Sequence, residues 1–156
     1  MSWPVVASLA VQYAREVGAT MLVVDTLGRW AGLKDDSENN SGAAMEAMAP
    51  LETAGAQGLA VFISRHERKS GGELGDSGRG SSVFSGVSDI VLSLRRADTE
   101  GHPSRRLLQG VGRFEGVPEK LVVEWRDRQY VALGDSVDVE RKKVREKLLD
   151  VLPGSD

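Results

Sequence analysis

The amino-acid sequence predicts an α/β fold in which a partly parallel sheet is continued by antiparallel strands. Over residues 4–64, helical and strand-like patterns alternate, which is typical of parallel strands joined by helices. The later strand-like segments follow one another directly, and the link Arg126-Asp127-Arg128 is short enough for an antiparallel hairpin. Of the 156 residues, 40% are hydrophobic and 28% are charged, which is the balance of one folded domain.

The chain begins with a predicted helix and a predicted buried strand. Residues 4–17 predict the helix, because Pro4 suits a first helical position and apolar residues recur three or four positions apart. Gly18 is a natural stop for this helix. Residues 20–26 predict the strand, since they are apolar without alternation and therefore suit burial on both faces.

A loop, a second helix and a second strand are predicted next. Residues 28–40 are rich in turn-forming side chains. Residues 41–57 predict a helix, in which Pro50 is expected to remove a hydrogen bond and to kink or split the helix. Residues 59–64 predict a second buried strand, and the glycine-rich residues 67–82 predict a long loop.

The second half of the chain predicts a short turn at 83–87, a run of strands and a closing amphipathic helix at 137–152. A polar turn is predicted at 97–104. The predicted strands are 89–94, 107–114, 121–125 and 129–133. Because the links between the last strands are short, we expect these strands to be antiparallel.

Composition and missing motifs exclude several classes of function. Without cysteine, the chain has neither a disulfide scaffold nor a thiolate metal site. A net charge of −3 disfavours a uniformly basic nucleic-acid binder but is compatible with a local basic patch. The apolar runs fall far short of the roughly 18 residues of a membrane span, so we expect no membrane association. The absence of cysteine is compatible with a reducing cytoplasm, where we expect the protein to lie. The sequence contains neither a Gly-x-x-x-x-Gly-Lys-Ser/Thr phosphate loop nor a Gly-x-Ser-x-Gly hydrolase elbow.

Asp25 is the first candidate site residue. It follows the apolar run Met21-Leu22-Val23-Val24 and is therefore expected at the carboxyl end of a parallel strand, where ligands of open α/β sheets bind. A carboxylate there can hold Mg²⁺ through water, as in phosphoryl-transfer sites. The alternative is that Asp25 caps the following turn, and the pattern alone leaves both interpretations open.

The segment after the second strand supplies the other candidates. His66 could contact a phosphate at the same edge, although the alternative is a surface histidine in a charged run. Arg79, flanked by two glycines, could reach a phosphate as an arginine finger, or it could be a solvated loop charge. Lys69 and Arg68, together with Arg65, form a basic cluster that could contact a nucleic-acid backbone or be an ordinary solvated face.

Three sequence blocks occur together in order between Met21 and Arg96. They are "MLVVDTLGRW", "DDSENNSGAAMEAMAPLETAG" and "LAVFISRHERKSGGELGDSGRGSSVFSGVSDIVLSLRR". Together they resemble the second half of the RecA-like ATPase core, a P-loop NTPase fold, in the subgroup of RepA-type hexameric replicative helicases. The resemblance implies a RecA-like three-layer sandwich and an ATP-driven, ring-forming DNA motor.

The resemblance also implies a role for each candidate. Asp25 would be the Walker B carboxylate that orients Mg²⁺ and water, and His66 would sense the γ-phosphate. Arg79 would be the finger inserted into the nucleotide site of a neighbouring subunit. Lys69 and the loop around it, including Arg68, would face single-stranded DNA. The family pattern often has a histidine where this chain has Arg65.

The phosphate loop and the catalytic glutamate of this family precede the Walker B strand, and only about 20 residues precede that strand here. We therefore expect a partial core at 1–134 followed by a helical extension at 135–156, with Met1 lying inside the fold of a complete ATPase. Mg²⁺ and ATP are expected as cofactors of that complete protein, and the isolated chain is expected to be inactive towards ATP.

Two functions of different classes remain. The chain is either the C-terminal part of the motor, completed within a homo-oligomeric ring or by a chain that supplies the phosphate loop, or a non-catalytic module that docks a partner ATPase or single-stranded DNA. A remnant without activity is the third interpretation. Oligomeric state separates them, because a ring, a heteromeric complex and an aggregating chain are different outcomes.

Overall fold

The computed structural model describes residues 1–33, 40–65, 82–97 and 102–152. The chain divides into two compact units, Met1–Ser88 and Asp89–Asp156. It is a mixed α/β protein with a two-stranded parallel sheet in the first unit and a four-stranded antiparallel sheet in the second. The elements are α1 (Trp3–Glu16), β1 (Met21–Val24), α2 (Leu27–Trp30), α3 (Ser41–Ala56), β2 (Ala60–Ile63), α4 (Ser82–Val87), β3 (Ile90–Arg96), β4 (Arg105–Gly112), β5 (Leu121–Arg126), β6 (Gln129–Asp135) and α5 (Ser136–Val151).

The first unit is built on the parallel pair β1 and β2, whose register runs from Met21 opposite Ala60 to Val24 opposite Ile63. Helices α1 and α3 pack against these strands and against each other. Their buried side chains form two apolar clusters, Val24, Leu27, Ala44, Ala47, Met48, Leu51 and Phe84, and Val11, Ala14, Ala54 and Leu59. The predicted helix–strand alternation of this half is confirmed.

Helix α3 has a defined start and continues through its proline. The side chain of Asn40 accepts hydrogen bonds from the amides of Gly42, at 2.9 Å, and Ala43, at 3.3 Å, which is an N-cap. Helix α3 is continuous over Ser41–Ala56, so Pro50 does not split it, while the expected kink stays a prediction. Met48 and Leu51 are buried on either side of the proline, and this packing outweighs the lost hydrogen bond.

Two short helices replace segments that were expected to be irregular. Residues Leu27–Trp30 form α2, although a loop was predicted from residue 28. The side chain of Leu27 is fully buried, so the core holds this turn in place. Residues Ser82–Val87 likewise form α4 where a short turn was predicted.

The second unit is a meander of four strands in the order β3-β4-β5-β6. The predicted hairpin is confirmed: Asp127 and Arg128 connect β5 to β6 with φ values of 48° and 65°, which is the conformation of a two-residue turn with both φ positive. The expectation that these strands continue the parallel sheet is wrong. Among the described strands, β1 and β2 pair only with each other, and β3 has β4 as its one neighbour, so these strands form two separate sheets.

Two glycines let a loop fold over one face of the antiparallel sheet. A Cβ built on Gly110 would meet Val117 Cγ1 at 2.5 Å and the carbonyl oxygen of Pro118 at 3.0 Å. A Cβ on Gly112 would meet Val117 Cγ2 of the same loop at 3.0 Å, and the carbonyl oxygen of Asp89 at 3.0 Å. The absence of side chains at these positions of β4 therefore makes room for the loop that leads to β5.

Helix α5 follows β6 directly and packs on β5 and β6. Asp135 caps it, since its carboxylate accepts a hydrogen bond from the amide of Val137 at 2.8 Å. The predicted boundary between 134 and 135 lies inside the second compact unit, one residue before the end of β6, and the division into an ATPase core and an extension stays a prediction. Among the described residues, no helix combines the length and apolarity that crossing a bilayer requires.

Candidate functional site

The carboxyl ends of the parallel strands bring two polar side chains together. Asp25 follows the last residue of β1, and Ser64 follows the last residue of β2. Because Val24 pairs with Ile63 in parallel register, the next residue of each strand lies at the same edge. Ser64 Oγ donates a hydrogen bond to Asp25 Oδ1. Asp25 therefore occupies the predicted edge, and the structure adds a hydroxyl partner to it.

Backbone hydrogen bonds hold this pair in position. The amide of Ser64 donates to the carbonyl of Val24 at 2.9 Å, and the carbonyl of Ser64 accepts from the amide of Leu27 at 3.2 Å. Trp30 Nε1 donates to the carbonyl of Asp25 at 3.3 Å, and the peptide bond after Asp25 is cis. Since Leu27 is fully buried, the turn after β1 is anchored in the core, while the side chain of Asp25 is exposed to solvent.

The chemistry of this edge suits a hard cation bound together with an anionic ligand. Asp25 is exposed and Ser64 is half-buried. Carboxylate and hydroxyl oxygens are the ligand type that Mg²⁺ prefers, and Mg²⁺ commonly uses one or two carboxylates with water and substrate phosphates at its other positions. Asp25 would therefore be the residue that holds a magnesium ion, directly or through water, with a phosphate-bearing ligand at other positions, and the ion itself stays a prediction.

Arg65, the residue after Ser64, contacts helix α4. Its guanidinium lies over the ring of Phe84, 3.7 Å from the ring centroid. Phe84 belongs to the buried core of the first unit, so the contact ties the residue after Ser64 to α4. Stacking of a guanidinium on an aromatic face contributes about 0.5–1 kcal/mol at exposed sites.

The other predicted site residues, His66, Arg68, Lys69 and Arg79, lie outside the described residues. Their roles stay predictions. Of the predicted catalytic residues, Asp25 is the one whose contacts the structure describes. Ser64 was not predicted, because a serine that follows an apolar strand is common and only the parallel register brings it to Asp25.

A second charged cluster surrounds Glu124 in β5. Glu124 is 6% exposed, and its Oε1 accepts hydrogen bonds from Arg105 Nε at 3.3 Å and from Ser104 Oγ at 3.4 Å. Arg126 donates to Oε2. Burial raises the pKa of Glu124, but hydrogen bonds and charges from Arg126 and Arg105 outweigh it and hold the pKa below its ordinary value of 4.5.

The arrangement around Glu124 is suited to holding strands together. Guanidinium groups engage both of its oxygens, which leaves the carboxylate poorly placed to exchange a proton. Its partners lie on β4 and at the end of β5. The signal in the sequence is a glutamate inside the apolar run of β5, which marks a buried charge that needs a partner.

Within the described ranges, no three His, Cys, Asp or Glu side chains gather into a group that could hold a metal ion. A magnesium ion at Asp25 would therefore depend on ligand oxygens as well as on this chain. In comparisons with known proteins, no family model matches the chain and no curated protein matches it.

Proposed function

We propose that this chain is the C-terminal part of an ATP-driven, ring-forming DNA motor, a helicase-like ATPase with a RecA-like three-layer core. The observation that carries the proposal is the joined pair Asp25 and Ser64 at the carboxyl edge of β1 and β2. Ligands of open α/β sheets bind at this edge. The resemblance of the segment from Met21 to Arg96 supports Mg·ATP as the ligand.

In this function Asp25 orients the ion, and Ser64 orients Asp25. The hydrogen bond from Ser64 Oγ occupies Oδ1 and fixes the plane of the carboxylate. Bound Mg²⁺ would neutralise the charge that develops on the transferred phosphoryl group. The exposed carboxylate of Asp25 and the anchored turn behind it suit the positioning of a metal ion, because a metal-binding side chain must be accessible and rigidly supported.

The chain contains no phosphate-cradling motif, so in this function another polypeptide segment supplies that element. That segment would come from further sequence of the native product or from a partner chain. Arg79 would act on the site of a neighbouring subunit, and Lys69 with Arg68 would contact single-stranded DNA. We expect the 156-residue chain alone to show no micromolar affinity for Mg·ATP.

The test uses the native product purified from its source cell, with its intact mass determined first. Asp25→Asn removes the charge but keeps the size of the side chain. We expect ATP turnover to fall at least about 100-fold, because the metal loses its protein carboxylate. Glu52→Gln is the matched control, since this exposed carboxylate lies on α3 away from the edge, and it should leave turnover unchanged. Equal turnover in both variants would refute the proposed role of Asp25.

Ser64 provides a finer test of the same site. Ser64→Ala removes the hydroxyl that holds Asp25, whereas Ser64→Thr retains a hydroxyl at the same position. We expect the alanine variant to lower kcat about tenfold with little change in KM, and the threonine variant to recover most of the loss. Equal losses in both variants would mean that the hydroxyl does not position Asp25.

A second candidate function, docking of a partner ATPase, is favoured by the outer face of the parallel sheet. Met21, Val23 and Phe62 lie on this face, and each is more than half exposed. Among the described strands, β1 and β2 pair only with each other. Under this alternative the native product has a mass of 16.8 kDa and co-purifies with an ATPase whose turnover does not depend on Asp25.

A further inference from the structure

The outer side of α5 carries apolar side chains in a heptad pattern. Val137, Val144 and Val151 are spaced seven residues apart, and Arg141 and Leu148 occupy the alternate positions of the same seam. Val137 is 54% exposed, Val144 53% and Leu148 59%. This alternation of four- and three-residue steps is the spacing with which one helix packs along another in a coiled coil.

The seam faces away from the sheet on which α5 packs. Val139 is buried and Lys143 is half-buried on the side that contacts β5 and β6. At 100° per residue, Val144 and Leu148 lie roughly 100–180° around the helix axis from that side. The seam is an open, mostly apolar strip on the surface of α5, and the residues along it are Ser136, Val137, Glu140, Arg141, Val144, Arg145 and Leu148.

Charged side chains flank the seam in a self-complementary order. Glu140 and Lys147 lie on one flank, and Asp138 and Arg145 lie on the other. All four are exposed. Residues in the flanking positions of a coiled coil set the choice and the orientation of the partner helix. The charges that flank the seam of α5 therefore determine whether a parallel or an antiparallel partner helix is favoured.

Antiparallel pairing of two α5 helices satisfies these charges. With Val137 opposite Leu148 and Arg141 opposite Val144, Glu140 faces Lys147 of the second copy. In the same register Asp138, which lies 3.6 Å from Arg141 of its own helix, also faces Arg145 of the second copy, and two-fold symmetry doubles both pairs between the helices. Each Arg141 then meets a valine instead of another cation.

Parallel pairing is disfavoured by the same residues. It places Arg141 opposite Arg141 of the second copy in the middle of the seam, where like charges repel. Glu140 would still meet Arg145, but Lys147 would face the apolar Leu152. The charge pattern of α5 therefore selects the antiparallel arrangement.

We propose that the outer face of α5 is a docking surface for α5 of a second copy of this chain, packed antiparallel about a two-fold axis. This contact goes beyond the proposed motor function. Subunits of a ring meet head to tail through two different surfaces, whereas this contact uses one surface twice. It would join two chains whether or not they hydrolyse ATP.

The contact is expected to be weak and sensitive to salt. The 16 residues of α5 provide only about two heptads, fewer than the three or four of a lasting coiled coil. We therefore expect dimerisation with a Kd on the order of 10–100 μM at low salt, weakening several-fold when the ionic strength is raised.

Sedimentation velocity of the 156-residue chain over a range of concentrations tests this proposal. Glu140→Lys places a lysine opposite Lys147 of the second copy, and this repulsion should weaken dimerisation at least about tenfold. Lys147→Glu should do the same, and the double exchange should restore the dimer because opposite charges meet again. Glu46→Lys on α3 is the matched control and should have no effect. Circular dichroism checks that each variant keeps its helix content.

Cysteine cross-linking tests the orientation, because the chain has no cysteine of its own. A mixture of Val137→Cys and Leu148→Cys chains should form mixed disulfide dimers on mild oxidation, and neither variant alone should cross-link efficiently. Efficient homodimers of Val137→Cys would indicate the parallel arrangement. That result, a monomer at about 1 mM, or failure of the double exchange to restore the dimer would overturn the proposal. None of these outcomes depends on ATP, so they leave the proposed motor function untouched.

Discussion

Replacement of Leu27 by alanine tests how the core supports the candidate site. The side chain is fully buried in the cluster that also contains Val24 and Phe84. The amide of the same residue donates to the carbonyl of Ser64, so Leu27 links the core to the residue that holds Asp25. The change leaves this backbone bond in place and removes the packing behind it.

We expect Leu27→Ala to lower the free energy of unfolding of the first unit by about 3 kcal/mol. Buried leucine-to-alanine changes cost about 2.7–5 kcal/mol, because transfer free energy is lost and a cavity remains. The lower part of this range applies here, since Leu27 lies in a single helical turn that can relax towards the cavity. The loss is a large share of the roughly 5–15 kcal/mol that stabilises a typical domain.

Urea titration followed by tryptophan fluorescence measures the effect. With an m-value of about 1.5 kcal/mol per molar urea, a loss of about 3 kcal/mol lowers the midpoint by about 2 M. Leu149→Ala is the matched control, because Leu149 also lies in a helix but is 59% exposed and outside the seam of α5. A midpoint shift below about 0.5 M in Leu27→Ala, or equal shifts in both variants, would refute the assignment of Leu27 to the core.

Three further predictions concern stability. The ion pairs of Glu124 contribute their full stabilisation of the second unit above pH 4.5, the ordinary pKa of the carboxyl group, and this stabilisation is lost as pH falls through the lowered pKa of the folded state. In Glu124→Gln the thermal midpoint should therefore change less between neutral and acidic pH than in the wild type. Gly110→Ala should cost about 1–3 kcal/mol in urea titration because its methyl group meets Val117, whereas Gly55→Ala in α3, with no atom near its Cβ, should gain up to about 1 kcal/mol. Asn40→Ala should cost about 1 kcal/mol through loss of the cap of α3, and a change below about 0.3 kcal/mol would contradict the cap.

The elements with strong local signals were predictable from the sequence. Helix α1 starts at the predicted proline turn, and the hairpin at Asp127 and Arg128 follows from the length of the link. Helix α2 was missed because a single turn of helix has no periodicity, and only burial of Leu27 reveals why it forms. The separation into two sheets was missed because strand partners are chosen by long-range contacts. Apolarity alone did not show that β3 pairs with β4.

The candidate site was predictable only where its signal is local along the chain. Asp25 follows an apolar strand, and a position at the carboxyl end of a strand can be read along the chain. Ser64 lies 39 residues away, and its contact with Asp25 depends on the register of two parallel strands. Glu124 shows the complementary case, in which a charge inside an apolar strand marks a buried ion pair but not the identity of its partners.

The most direct test of the central claim is ATP turnover in mixtures of two inactive variants of the native product. If Asp25 and Arg79 complete one site from two neighbouring subunits, Asp25→Asn and Arg79→Ala are each inactive alone. In an equal mixture that exchanges subunits freely, about a quarter of the interfaces combine an intact Asp25 with an intact Arg79. We expect the mixture to recover about a quarter of wild-type turnover. Turnover that stays at background in the mixture, or that persists in either variant alone, would contradict the central claim.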